Sequence, residues 1–173
     1  MPLPRLIPAL PVLLALLAVP AAARDPVMLA GPAPGQEVAL PLDALRALPA
    51  ETREVSFLSS KGEERARYTG TRLWDLLAGH GFVDPANHPA LLRTLVVVTA
   101  GDGYTLVLAA ADLAPELGDT PVLLAYAREG EALAADRLPR LIVPGDRRGA
   151  RNVFDIARIS VRVLDPIPQE KTP

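Results

Sequence analysis

Two β-branched runs, Leu95 to Ala100 and Tyr104 to Leu108, are joined through Gly101-Asp102-Gly103. Asp-Gly between two such runs is among the strongest hairpin signals a single sequence carries. The rest of the chain agrees with a sheet built around that pair. Residues 37–49, EVALPLDALRALP, read as a strand leading into one or two helical turns stopped by Pro49. Glu54 to Leu58 and Arg65 to Tyr68 read as a hairpin through Ser59-Ser60-Lys61-Gly62. Thr71 can cap a helix whose stripe is Leu73, Leu76 and Leu77, with Trp74 beside it, ending at Gly79 and Gly81. A short helical element around Asp112 is broken at Pro115. Strands follow at Val122 to Ala127, Leu138 to Val143 and within Val153 to Val163. Strands outnumber helices, and no alternation of strand with long helix occurs. The expectation is α+β with mixed or antiparallel sheets and short helices.

The ends read differently. Residues 1–23 carry Arg5, an apolar run from Val12 to Val19, and Ala21-Ala22-Ala23 before Arg24-Asp25, the pattern of a cleavable secretory signal. Pro8, Pro11 and Pro20 interrupt it, and it falls short of the roughly 20 apolar residues a bilayer span needs. A periplasmic or secreted product, with no membrane insertion after cleavage, is the expectation. Residues 24–36 read as an extended lead-in in which Val27 to Leu29 could pair at a sheet edge, 37–164 as one folded block, and 165–173 as a flexible tail.

Composition excludes much chemistry. None of the 173 residues is cysteine, so disulfide scaffolds, thiolate zinc sites, iron–sulfur clusters and thiol nucleophiles are out, as is any metal cofactor held by a protein thiolate. Lys plus Arg number 18 and Asp plus Glu 20, a formal charge of −2, which leaves no basic field for nucleic acid. His80, Asp84 and His88 have helical metal-ligand spacing, but Gly81, Pro85 and Pro89 forbid that helix, which leaves two solvated histidines. Ser56, Ser59, Ser60 and Ser160 sit in no nucleophile elbow. Glu63 with Glu64, and Asp112 with Glu116, read as solvated surface rather than acid–base pairs. Asp102 reads first as a turn former, although hairpin tips often face pockets. No metal-ligand set emerges.

The segment VPGDRRGARNVF is the one place where cations cluster beside permissive backbone. Pro144-Gly145-Asp146 and Gly149 offer exposed amides, and Arg147, Arg148 and Arg151 offer planar cations suited to phosphate or carboxylate. Two readings stand side by side: an anion site, or a polar turn whose arginines pair with surface carboxylates.

The strings YTGTRLWDLLAGHGF, VVVTAGDGY, VLLAYAREGEAL and LPRLIVPGDRRGARNVFDIARISV occur in that order. Together they resemble the molybdopterin-binding domain of the sulfite oxidase family, in its compact exported branch that lacks the metal-ligand cysteine. The resemblance covers roughly residues 37–164. It implies an α+β fold with a pterin cofactor at loop ends and a cysteine thiolate on molybdenum. The position matching that cysteine is Thr99, in Thr99-Ala100-Gly101, and a hydroxyl does not replace a thiolate on that metal. The basic residues that would meet the pterin phosphate map to Arg151 with Arg147 or Arg148. Beyond them Phe154 and Asp155 stand where the family tends to carry lysine and tryptophan.

Three functions follow as expectations. One is a small anionic-ligand binding or sensing module with a concavity lined by Thr99, Asp102, Tyr104, Arg147, Arg148 and Arg151, needing no cofactor. Another is a molybdopterin-dependent oxidoreductase that holds its cofactor without a protein thiolate. The third is an interaction module that docks a periplasmic or membrane protein through an exposed strand edge.

Overall fold

The computed structural model describes residues 25–165, so the signal at 1–23 and most of the tail lie outside the described residues. Ten strands and four short helices follow in order: β1 (Val27–Ala30), β2 (Glu37–Leu40), α1 (Leu42–Ala47), β3 (Glu51–Ser59), β4 (Gly62–Arg72), α2 (Leu73–Gly79), α3 (His88–Leu91), β5 (Thr94–Ala100), β6 (Thr105–Ala109), α4 (Ala110–Leu113), β7 (Leu123–Arg128), β8 (Glu131–Ala132), β9 (Arg140–Ile142) and β10 (Ile156–Val163). They form two five-stranded sheets. The first runs β2-β1-β10-β5-β6, and the second runs β3-β4-β7-β8 with β9 added on β7. Among the described strands only β1 and β10 pair in parallel. The fold is thus α+β with mixed and antiparallel sheets, as the strand pattern implies. Among the described residues no helix is long and apolar enough to cross a membrane.

Strand β5 shows how the core is placed. Thr94, Val96, Val98 and Ala100 point inward, and Leu95, Val97 and Thr99 are half-exposed on the opposite face. The hairpin to β6 closes as its sequence requires. Gly103 adopts φ +87°, and the Asp102 carboxylate accepts from Tyr104 N at 2.9 Å. Asp102 is a turn former.

Three readings are corrected. Val27–Ala30 is not an extended lead-in or an edge. It lies between β2 and β10, with Val27 and Leu29 buried, so it is an inner strand of the first sheet. Apolar alternation, Val27 and Leu29 inward, outweighs the surrounding prolines and glycines. Thr71 does not cap α2, because its hydroxyl donates to Leu45 O at 3.2 Å. The first helical amide, Leu73 N, is instead satisfied by Val122 O at 2.8 Å. Glu64 is not solvated surface, as described below.

The second sheet is buried on both faces where β7 and β9 cross it. Leu124 and Leu141 enter the main core with Val98, Leu77 and Trp74, while Leu123, Ala125 and Ile142 join a smaller cluster with Val55, Phe57, Ala66 and Tyr68. Because side chains alternate along a strand, Arg140 shares the face of Ile142. It is therefore delivered onto the smaller cluster, and the site grows from there.

Candidate functional site

Arg140 is 4% exposed, within an otherwise apolar strand. Its guanidinium carbon lies 3.9 Å from the Phe154 ring centre, 5.1 Å from Tyr68 and 5.5 Å from Phe57, a stack that suits the weakly hydrated guanidinium. Nη1 donates to Glu64 Oε1 at 2.9 Å and to the Tyr68 hydroxyl, which itself donates to Glu64. Burial alone pushes the Glu64 carboxyl up. The hydrogen bonds from Tyr68 and Arg140, with the charges of Arg140 and Arg128, outweigh it and hold the group below its ordinary value. Burial, then the bond to Glu64, pushes the Tyr68 hydroxyl up to about 12, so it stays a donor.

The loop after β9 is sewn over this cluster by main-chain bonds. Leu58 N donates to Arg147 O at 3.0 Å, and Leu58 bridges Arg148 in parallel. Leu141 N donates to Val153 O at 2.7 Å. Gly149 lies on the Phe57 ring so closely that a Cβ would stand 2.7 Å from it. Asn152, 4% exposed, accepts from Val143 N at 2.6 Å through Oδ1.

A cavity of about 570 Å³ opens between the β3–β4 turn and this loop, walled by Phe57, Lys61, Arg140, Arg148, Asn152 and Phe154. Among the described residues Arg140 Nε and Asn152 Nδ2 are buried donors with no acceptor. Among the described residues Lys61 and Arg148 have no carboxylate partner, while Arg140 shares Glu64 with Arg128. Two cations without a carboxylate partner among the described residues, beside Arg140, suit an oxyanion. A second cavity of about 570 Å³ lies beyond Phe154 and Arg137, with Asp102, Tyr104, Asp136 and Asp155 in its walls.

The structure divides the six residues proposed from sequence. Asp102 and Tyr104 line the second cavity and Arg148 the first, while Thr99, Arg147 and Arg151 line neither. Thr99 sits on the outward face of β5, its hydroxyl 3.2 Å from that of Thr105. Arg151 is bound in bidentate fashion by Asp146, Nε donating to Oδ2 at 2.8 Å. That bond first, opposed by burial and helped by the Asp146 charge, raises its pKa. Arg151 is thus paired with a neighbouring carboxylate, while Arg148 has no carboxylate partner among the described residues. Because the pair is partly exposed, Arg151→Ala is expected to cost about 1 kcal/mol in urea unfolding and to leave anion binding in place.

Sequence reasoning passed over Lys61, Arg137, Arg140 and Asn152. The signal for Arg140 was legible as one charge inside Leu138 to Val143, since a buried charge needs partners. His80, Asp84 and His88 each have separate company: Leu76 O for His80, the Ala86 amide for Asp84, and Glu116 for His88.

The positions the resemblance assigns to molybdopterin do not fit that group. Thr99 offers a hydroxyl already bonded to Thr105. The Asp155 carboxylate lies 2.5 Å from where a Cβ of Gly101 would stand, so it fills the space beside that strand end. Arg151 is neutralised by Asp146.

The chain is similar in fold to solved structures. The sulfane dehydrogenase SoxCD from Paracoccus pantotrophus superposes with a TM-score of 0.63 at 19% identity over 80% of this chain. The likeness is one of fold. The match spans 38% of the SoxCD chain. No family model and no curated protein matches the sequence.

Proposed function

We propose that this chain is an exported small-anion binding or sensing domain on a sulfite oxidase-type scaffold, without molybdenum redox catalysis. Export rests on the signal pattern of residues 1–23. One observation carries the anion seat: Lys61 and Arg148, which have no carboxylate partner among the described residues, line one cavity together with Arg140 and Asn152. Cations lining a cavity without a carboxylate partner suit an oxyanion with several acceptor oxygens.

Thermal unfolding in the presence of inorganic phosphate or sulfate tests this. A ligand binding only the folded state stabilises it by about 2.7 kcal/mol at a hundredfold excess over Kd, so the midpoint is expected to climb with concentration of either anion. Arg148→Glu is expected to abolish the response, and Arg151→Ala to retain it. A wild-type midpoint indifferent to both anions overturns the proposal and favours protein docking, for which edge strand β6 exposes Val107.

A further inference from the structure

An open sheet edge is a template for another strand, and most edges among the described strands are guarded against it. Strand β2 is 4 residues long, starts on Glu37 and stops at Pro41. Strand β3 carries Glu51, Arg53 and Glu54, and its far end is closed by the loop at Arg147 and Arg148. Strand β8 has 2 residues, and β9 is covered where Leu141 N donates to Val153 O. Strand β6, with the sequence TLVLA, has β5 on one side and no described strand on the other, and it contains no charge, proline or bulge.

The groups on its open side follow from the ladder. Ala100 N donates to Tyr104 O at 2.9 Å, and bonded pairs alternate along antiparallel strands. Leu106 and Leu108 therefore bond inward to β5, while Thr105, Val107 and Ala109 turn their N–H and C=O to the edge. The side chains of those three stand on the outer face, where Val107 is 50% exposed opposite Val97, and Leu106 and Leu108 point into the core. We infer that β6 is a self-association edge whose occupant is β6 of a second copy, antiparallel about a two-fold axis at Val107. The sequence on either side of Val107 fits itself. Leu106 meets Leu108 of the second copy on the buried face, Thr105 meets Ala109 on the outer face, and Val107 meets its own counterpart, so both faces of the sheet continue across the axis. The nearest acids, Asp102 and Asp112, sit in the hairpin turn and in α4, outside the ladder, so no like charges oppose one another within it. A foreign strand would need the same uncharged alternation, which a second copy brings with it. No residue of β6 lines either cavity, so this association stands apart from the anion seat.

The chain has no cysteine, so one introduced thiol reports one position. On the axis the two Val107 residues form a hydrogen-bonded pair with Cα atoms about 5.5 Å apart, within disulfide reach. The two Thr105 residues are displaced along the strands by about 14 Å, beyond it. Oxidation of the full mature chain with copper phenanthroline is expected to turn most of Val107→Cys into a covalent dimer on non-reducing electrophoresis and to leave Thr105→Cys monomeric. In sedimentation velocity the wild type is expected to move from the monomer mass to twice that mass as concentration rises, since a single short ladder is a small, weak interface. Val107→Lys sets two like charges face to face and is expected to stay monomeric, with its urea midpoint in dilute solution unchanged because the side chain is half-exposed. Equal crosslinking at the two positions, a wild type that is monomeric at every concentration, or a dimer that Val107→Lys leaves intact each overturns the inference, and none of them touches the anion seat.

Discussion

Arg140→Ala is expected to lower stability by about 3 kcal/mol, read as a urea midpoint shift at unchanged slope and a fall of about 10 °C in Tm. The substitution strips Glu64 of its main cation in a pocket where that carboxylate is only 23% exposed. It also removes the ring contacts to Phe57, Tyr68 and Phe154 and leaves a void. The pH dependence carries the same signature. A carboxyl held below its unfolded value adds stability that is present above pH 4.5 and is lost as pH falls through the lower folded value. Tyr68 acts at the other limb. The unfolded phenol ionises near 10 while the folded one holds its proton to about 12, so stability falls as pH rises between them. In Arg140→Ala the acid limb is expected to flatten in part, because the Tyr68 hydrogen bond and the Arg128 charge still depress Glu64 while the Arg140 bond and charge are gone. An acid limb identical to wild type would mean that another group depresses it. Pairing the change with Glu64→Gln is expected to recover part of the loss, since no unpaired charge then remains.

Gly70→Ala is the other large effect, of about 3 kcal/mol. A Cβ there would lie 2.2 Å from Leu124 O and 2.5 Å from Ala125 Cα. Both neighbours are backbone, so no rotamer change relieves the clash, and β4 must part from β7 at the irregularity between Thr69 and Gly70. Gly79 is the control. Its Cβ would meet nothing within 4 Å, and Gly79→Ala at the end of α2 is expected to be neutral or to stabilise by about 0.5 kcal/mol. Equal losses at the two positions, measured by urea unfolding, would show that contact with β7 is not what Gly70 serves.

The sheet elements were legible because their signals are local. The Gly101-Asp102-Gly103 hairpin, the Ser59-to-Gly62 turn and the Leu73 stripe each specify themselves within a few residues. Val27–Ala30 was misplaced because its partner, β10, lies at the other end of the described chain, and no local pattern reports such a pairing. The site was half legible for the same reason. Composition singled out Arg147, Arg148 and Arg151 as a group, but which of them stays free depends on Asp146 folding back onto Arg151. Glu64 read as surface because its position in a hairpin is local, whereas the buried Arg140 that claims it is 76 residues away in sequence.

The first and last strands of the described chain are neighbours. Met28 stands opposite Arg158 and Ala30 opposite Ser160, in the middle of a sheet rather than at its rim. A polypeptide threaded from one compartment to another, amino end first, therefore cannot finish this sheet until its carboxyl-terminal strand has emerged. Until then β1 has an unfilled hydrogen-bonding side, and completion waits on a contact of very long sequence separation, the kind that slows folding and lengthens exposure to misassociation.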